Sequence, residues 1–134
     1  MGNINSINSI NSIKNIKKLN FEDMKYAIDN KYIIINTLHE NNQNCLIENT
    51  ISPKDEVIIL NKYLKNQNGL HIVVYGKNNN DEKIFTKYIQ LINLGFTNVS
   101  IYIGGLFEWL LLQEVYGDEN FMTTSKELDI LKYK

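Results

Sequence analysis

"LINLGFTNVSIYIGGLFEW", residues 91–109, carries the clearest structural signal in this sequence. It begins inside an apolar helical pattern that Gly95 is predicted to close, because glycine readily adopts the left-handed conformation found at helix ends. "VSIYI", residues 99–103, then predicts a buried strand. Two glycines and the apolar helix "LFEWLLLQEVY", residues 106–116, follow. This part of the chain is therefore predicted to be a helix, a strand and a second helix.

The preceding part of the chain repeats the same alternation. "YIIIN" (32–36) and "HIVVY" (71–75) are continuous apolar runs and predict two more buried strands. A helix capped by Asn20 is predicted before the first strand, and a helix capped by Ser52 before the second. Strands that are apolar on both faces and alternate with helices indicate a parallel sheet covered by helices on both sides.

Three finer features of these elements are also predicted. Asn30 is expected to close the first helix in the left-handed region. The inner face of the second helix is expected to consist of Val57, Leu60 and Leu64. "CLIENTI", residues 45–51, indicates a short extended segment between the two.

Length and charge narrow the class of protein. The 134 residues suffice for one domain with a real core, but not for two. The net charge of −1, with mixed signs along the chain, argues against a nucleic-acid partner, which requires a basic face. The sequence contains no arginine, so it lacks the forked side chain that best recognises carboxylates and phosphates.

The expected location is the cytoplasm. Cys45 is the single cysteine, so no internal disulfide can form and a reducing compartment is favoured. No run approaches the roughly 20 apolar residues of a membrane-spanning helix. The amino-terminal segment also lacks the charged region and apolar block of a secretory signal.

Residues 1–18 have a different composition from the rest. Isoleucine recurs at every third position within an Ile-Asn-Ser repeat. A period of three drifts about 60° per repeat around a helix of 3.6 residues per turn, so no apolar stripe forms. We predict a low-complexity, disordered arm.

The arm also begins with a lipidation pattern. Residues 1–6, "MGNINS", fit the M-G-x-x-x-[ST] acceptor pattern for N-myristoylation, with Gly2 as the acylated residue. Lys14, Lys17 and Lys18 could add attraction to an anionic membrane surface. Peripheral membrane association through this arm is one expectation, and a plain soluble tail is the alternative.

Taken together, the element order and the segment at 91–109 resemble the rhodanese-like domain family. The segment is similar to the family's pattern L-x-x-x-G-F-x-N-V-x-x-L-x-G-G-x-x-x-W; the matching residues are Gly95, Phe96, Asn98, Val99, Gly104, Gly105 and Trp109. This resemblance, over roughly residues 19–112, implies a three-layer α/β/α domain with a central, mostly parallel sheet of about five strands. We divide the chain into the arm (1–18), a rhodanese-like domain (19–115) and a charged C-terminal extension (116–134).

The resemblance places the family's catalytic loop directly after the strand "VVY". Family enzymes carry a cysteine there, heading a six-residue loop whose amides bind a persulfide or anion, with a pattern close to Y-C-x-x-G-x-[RK]-S. In this sequence Gly76 takes the cysteine position, Asn79 the glycine and Asp81 the basic residue. Asn36 stands where the family's first strand usually carries an aspartate. The implied site is a degenerate loop of Gly76, Lys77, Asn78, Asn79, Asn80 and Asp81.

Residue chemistry alone points the same way. Sulfur transfer needs a thiolate stabilised by loop amides and a helix N-terminus, and glycine supplies no side chain. Asp81 and Glu82, at the start of the following helix, would satisfy its dipole from within and repel an incoming anion. Three roles stay open for the loop: a solvated turn, a docking surface for another protein, or a cradle for a small anion with Lys77 as its cation.

Cys45 is the alternative functional thiol. One interpretation is a small, partly buried apolar residue; the other is a displaced nucleophile or redox-sensitive thiol helped by His39. We expect instead that His39 caps a loop, that His71 opens a strand and that Trp109 packs in the core. One cysteine and two histidines at these spacings form no metal site, so no metal or cofactor is expected.

The leading functional hypothesis is a catalytically inactive rhodanese-like domain. It would act as a monomeric binding or regulatory module for an unidentified protein partner. The alternative is a sulfurtransferase or other thiol-dependent enzyme that uses Cys45. A third hypothesis is a scaffold whose isoleucine-rich arm is the interaction element.

Overall fold

The computed structural model describes residues 15–134, which contain one parallel sheet of four strands. These are β1 (Lys17–Leu19), β2 (Ile33–Asn36), β3 (Ile72–Tyr75) and β4 (Val99–Tyr102), in the spatial order β1-β4-β3-β2. The predicted α/β class with a parallel sheet is confirmed. The predicted count of about five strands is wrong for the described residues, because segment 45–51 forms only isolated bridges, at Ile47 and Thr50.

Four α-helices alternate with these strands. They are α1 (Phe21–Asp29), α2 (Pro53–Tyr63), α3 (Lys83–Asn93) and α4 (Gly105–Tyr116). Two short 3-10 helices follow β2 and end the chain, at Glu40–Asn42 and Ile130–Tyr133. Within the described residues no helix is long and apolar enough to span a membrane.

The first strand lies partly within the predicted arm. Lys17 pairs with Ser100 and Leu19 with Tyr102, so β1 forms one edge of the sheet beside β4. Both lysines of the strand are exposed, and only Leu19 is buried. Described secondary structure therefore begins two residues before the predicted domain boundary at residue 19. Residues 1–14 of the arm, including Gly2 and Lys14, lie outside the described part of the chain.

Each face of the sheet carries its own apolar core, which confirms the three-layer architecture. On one face, α1, α4 and the C-terminal segment pack over β2, β3 and β4, burying residues such as Met24, Ile34 and Trp109. On the other face, α2 and α3 cover the same three strands, burying residues such as Ile35, Leu91 and Ile101. Burial on both sides explains why these strands are continuous apolar runs rather than alternating ones.

The helix ends are closed largely by the predicted residues. The Asn20 side chain accepts the Asp23 amide at 2.8 Å, and the Ser52 side chain accepts the Asp55 amide at 3.1 Å. At the end of α3, Gly95 has a φ of +105° and its amide donates to Ile92. The next amide, of Phe96, donates to Leu91, which completes a Schellman motif. The left-handed closure at Gly95 is therefore confirmed.

Two finer expectations are wrong. Asn30 has a φ of −94°, and the left-handed residue after α1 is Lys31, at +60°. In α2, Leu60 is buried as predicted, but Val57 is 60% exposed and Leu64 is also exposed. The face of α2 that contacts the sheet is therefore narrower than the number of its apolar residues suggests.

The C-terminal segment, residues 117–134, is part of the folded core rather than a free extension. Thr123 forms an antiparallel bridge with Ile47, flanked by backbone hydrogen bonds from Glu48 to Met122 and from Thr124 to Leu46. Phe121 packs edge-on against Trp109, with ring centroids 5.1 Å apart, and is buried. The segment thus completes the core on the α1 and α4 side of the sheet.

Candidate functional site

Loop 76–81 lies where the resemblance places the active site, between the end of β3 and the start of α3. In a parallel α/β sheet this end, beyond the carboxyl termini of the strands, is where ligands bind. Gly76 is buried, whereas Asn79 and Asn80 are exposed. The loop therefore has an inner residue that faces the protein and an outer tip that faces solvent.

The end of β3 is fixed by the side chain of Tyr75, the residue before the loop. Its hydroxyl accepts the Ile47 amide at 3.1 Å and lies 2.8 Å from Thr50 Oγ1. Complete burial raises the pKa of this phenol far above its ordinary value. Tyr75 therefore stays a neutral hydrogen-bonding anchor and is not suited to act as a catalytic acid or base.

Asp81 clamps both ends of the loop. Its Oδ2 accepts the Lys77 amide at 3.0 Å, and its Oδ1 accepts the Lys83 amide at 3.0 Å. The second bond caps the start of α3, where a carboxylate is favoured by the helix dipole. The Asp81 carboxylate thus accepts the Lys77 and Lys83 amides and lies at the positive end of the α3 dipole. An external anion would need these same interactions.

The space beside Gly76 is also filled. A Cβ atom added at this position would lie 2.5 Å from Asp81 Oδ2, 2.8 Å from Ile84 Cγ2 and 2.8 Å from Thr37 Oγ1. Such approaches are far inside van der Waals contact. Gly76, which the resemblance aligns with the family's nucleophile, therefore has no side chain, and neighbouring atoms fill the place where one would begin.

The loop is joined to the start of α4 through backbone atoms. The amides of Leu106 and Phe107 donate to the carbonyls of Gly76 and Lys77, each at 2.9 Å. These bonds satisfy amides in the first turn of α4 that have no partner within the helix. Gly105 makes the close approach possible, because a Cβ there would lie 2.7 Å from the Gly76 carbonyl oxygen.

The loop also contacts the C-terminal segment. The Asn78 side-chain amide donates to the Tyr133 carbonyl at 2.9 Å, while its Oδ1 accepts the Asn80 amide at 2.9 Å. Asn78 therefore shapes the turn and attaches it to the C-terminal 3-10 helix at the same time. This contact could not be predicted from local sequence patterns, because the two residues are 55 positions apart.

A cleft of about 360 Å³, the carboxyl-end cleft, opens between this loop and the segment after β2. Its lining is polar apart from Leu38; it consists of Thr37, Leu38, His39, Asn42, Lys77, Asn78, Asn80, Asp81 and Lys83. The cleft offers amides, an imidazole, two ammonium groups and the Asp81 carboxylate, but no thiol. Its one hydroxyl, Thr37 Oγ1, is engaged with the Tyr75 carbonyl at 3.4 Å and with Asp81 Oδ2 at 3.5 Å. This lining is suited to hydrogen-bonded contact rather than to nucleophilic chemistry.

The wall of the cleft after β2 is held by Asn36. Asn36 and Gln43 exchange side-chain hydrogen bonds of 3.1 and 2.8 Å, and Asn36 Oδ1 also accepts the Leu38 amide. An aspartate at position 36, usual in the family, could not donate to Gln43. Asn36 therefore stabilises the segment after β2, and both its side-chain oxygen and its side-chain nitrogen are used in these hydrogen bonds.

Cys45 lies apart from the loop, buried under the C-terminal segment. It is 2% exposed, and its thiol donates to the Ser125 carbonyl at 3.3 Å. Burial raises the pKa of the thiol, which disfavours the thiolate that a nucleophile requires. The structure therefore supports the interpretation of Cys45 as a small core residue and does not favour the enzyme alternative.

The other residues considered have structural contacts. His39 Nδ1 accepts the Asn41 amide and caps a 3-10 turn, as predicted. His71 directly precedes β3 and stacks on Tyr32, with centroids 4.3 Å apart. Trp109 is buried and donates to the Met122 carbonyl. Among residues 15–134, no three histidine, cysteine, aspartate or glutamate side chains come together as possible metal ligands.

Comparison with known proteins agrees with this architecture. The family model of the rhodanese-like domain matches residues 8–112, which is more than half of the chain. The chain therefore belongs to the rhodanese-like domain family. None of the curated proteins matches it.

Among solved structures, the chain is similar to the crystal structure of the BH2092 protein from Bacillus halodurans. The TM-score is 0.56 at 16% sequence identity, over 97% of this chain and 98% of that chain. At this level of identity the likeness concerns the fold. It includes the C-terminal segment, since almost the whole of both chains is covered.

Proposed function

We propose that this domain is a catalytically silent rhodanese-like protein that works in the cytoplasm as a monomeric binding or regulatory module. The observation that carries the proposal is the state of loop 76–81. Gly76 stands where the resemblance places the nucleophile, and the Asp81 carboxylate accepts the Lys77 amide of the loop and the Lys83 amide of α3, each at 3.0 Å. A site that has lost its thiol and supplies its own anion cannot hold a persulfide or attract thiosulfate.

The carboxyl-end cleft is the surface that we propose contacts the partner. Its exposed groups include the side chains of Asn80 in the loop and of Lys83 at the start of α3, and Asn79 is exposed next to Asn80 at the loop tip. They stand on a backbone fixed by Asp81, by α4 and by Tyr133, so they are presented in a defined arrangement. Preorganised polar groups of this kind reduce the entropy cost of binding. A protein partner is the proposed ligand.

Site-specific photo-crosslinking tests this assignment. A benzophenone side chain at Asn79, which is exposed at the loop tip, should form a discrete adduct with the partner in cells that produce this protein. The matched control is Asn93, an exposed residue at the other end of α3 and about 15 Å away along that helix. The same adducts from both positions, or no adduct from Asn79, would argue against the carboxyl-end cleft as the contact surface.

We further propose that the N-terminal arm tethers the domain to a membrane. One myristoyl chain at Gly2 gives only marginal binding, of about 10⁴ M⁻¹, and nearby lysines add roughly 1 kcal/mol each at an anionic surface. Lys17 and Lys18 suit this role because both are exposed on the edge strand β1. The tether would therefore be reversible and sensitive to salt.

Acylation is checked by intact mass of the protein from a eukaryotic host. We expect the mass of a myristoyl group on Gly2 and partial recovery with membranes. Gly2→Ala should move the protein to the supernatant, whereas replacing Lys14, Lys17 and Lys18 by glutamine should weaken recovery and leave the added mass. An unmodified Gly2 amino terminus would remove the tether from the proposal.

A further inference from the structure

The end of the C-terminal segment is attached differently from its beginning. Residues 121–125 are fixed by backbone hydrogen bonds to segment 44–48 and by the buried ring of Phe121. Residues 126–134, which we call the C-terminal latch, make no such backbone pairing with the sheet or its helices. Leu128 and Leu131, two of its apolar side chains, are 85% and 61% exposed. The latch is therefore attached to the domain through side chains: Tyr133 and Ile130 pack in or against the core, and Lys126 pairs with Asp118 at 3.1 Å.

The main anchor of the latch is Tyr133. Its side chain is 1% exposed and belongs to the core on the α1 and α4 side of the sheet. Its carbonyl accepts the Asn78 side chain of loop 76–81. Within the latch, Lys132 pairs with Glu127 at 3.1 Å and lies 5.1 Å from the Tyr133 ring centroid. The two Lys132 contacts lie within the latch and do not attach it to the body of the domain.

Cys45 is buried beneath the C-terminal segment, next to the start of the latch. Its thiol contacts the Ser125 carbonyl, just before the latch begins. The buried Tyr133 ring belongs to the same core cluster as Cys45. The C-terminal segment therefore covers the thiol, directly through Ser125 and more widely through the core that Tyr133 completes.

We propose that residues 126–134 form a local latch, closed in this structure, that opens without unfolding of the domain. Opening withdraws Tyr133 from the core, uncovers Cys45 and releases Asn78 from its contact with the C-terminal segment. The latch thus couples exposure of the single thiol to the contacts of loop 76–81. Segments with few attachments open with a free energy well below that of global unfolding.

Thiol labelling of the full chain measures the opening directly, because Cys45 is the only cysteine. Tyr133→Ala should raise the rate of labelling by 5,5′-dithiobis(2-nitrobenzoate) on the order of 100-fold, since it removes a buried aromatic anchor. Asn78→Asp keeps an acceptor for the Asn80 amide but loses the donor to Tyr133, and should raise the rate about fivefold. Leu128→Ala, at an exposed position of the latch, should leave the rate unchanged.

The dependence on urea separates latch opening from global unfolding. In the unmodified protein, labelling at low urea should depend only weakly on urea concentration, because local opening exposes little surface. The inference is overturned if labelling follows the full urea dependence of global unfolding at every concentration. It is equally overturned if Asn78→Asp and Tyr133→Ala, folded by circular dichroism, label at the unmodified rate.

Discussion

Replacing Gly105 by alanine is expected to destabilise the domain by about 3 kcal/mol. Gly105 has a φ of +68°, a conformation that costs a residue with a Cβ about 1 kcal/mol. The new methyl group would also lie 2.7 Å from the Gly76 carbonyl oxygen and 3.0 Å from the Asn78 amide nitrogen. Relieving that overlap means moving α4 away from loop 76–81, and such overpacking adds about 1–3 kcal/mol.

Urea denaturation of the purified variant measures this effect, and Gly69→Ala is the matched control. Gly69 has nearly the same φ, +70°, but a Cβ there meets nothing within 4 Å. The control should therefore lose only the conformational part, about 1 kcal/mol. Equal losses in the two variants would show that the approach of α4 to the loop contributes nothing to stability.

A cysteine at position 76 is expected to stay inactive unless Asp81 is replaced as well. The unmodified protein should show no thiosulfate:cyanide sulfurtransferase turnover above a blank, because no thiolate can form at Gly76. In Gly76→Cys the new side chain would meet Asp81 Oδ2, Ile84 and Thr37, at an overpacking cost of about 1–3 kcal/mol. The adjacent carboxylate would also raise the pKa of the new thiol.

Gly76→Cys combined with Asp81→Ser removes both obstacles. Serine keeps an acceptor for the Lys83 amide at the start of α3, but it vacates space and removes the negative charge. At pH 7 the double variant should react with iodoacetamide about tenfold faster than the single variant, which corresponds to one unit in the pKa. Any gain of sulfurtransferase turnover should appear in the double variant alone.

Both cysteine variants are best measured with Cys45→Ala, so that the thiol at position 76 is the only one present. Gly76→Ala reports the steric cost without a thiol. Turnover in the unmodified protein that is lost in Cys45→Ala would contradict the proposed silence and support the enzyme alternative. Equal iodoacetamide rates in the single and double variants would show that Asp81 does not control the loop.

The central part of the fold was predictable because each of its strands shows the same local sequence pattern. β2, β3 and β4 are buried on both faces, so each is a continuous apolar run that can be recognised without a partner. β1 was not recognised, since an edge strand of three residues with two exposed lysines has no such pattern. Phe121 and Tyr133 were missed for a related reason: each is a single buried aromatic in a polar stretch, with no periodicity around it.

The candidate site was predictable in its residues but not in its contacts. Gly76 and Asp81 follow from the position of the loop after β3, and the capping role of Asp81 follows from the helix dipole. Thr37 and Tyr133 contact the loop from 44 and 55 positions away. Local sequence carries no information on pairs at such separation. The closure of space beside Gly76 therefore became visible only in three dimensions.

The parallel pairing of β1 with β4 gives the domain a polarity. Lys17, the first residue of β1, lies at the end of the sheet where the strands begin, whereas Tyr133 lies beside Asn78 at the end where they finish. An anchor or affinity tag on the amino side would therefore hold the domain with its cleft facing outward. A fusion after Lys134 would crowd the cleft and strain the latch. A surface-based search for the partner should therefore immobilise the domain through its amino side, so that the cleft stays accessible.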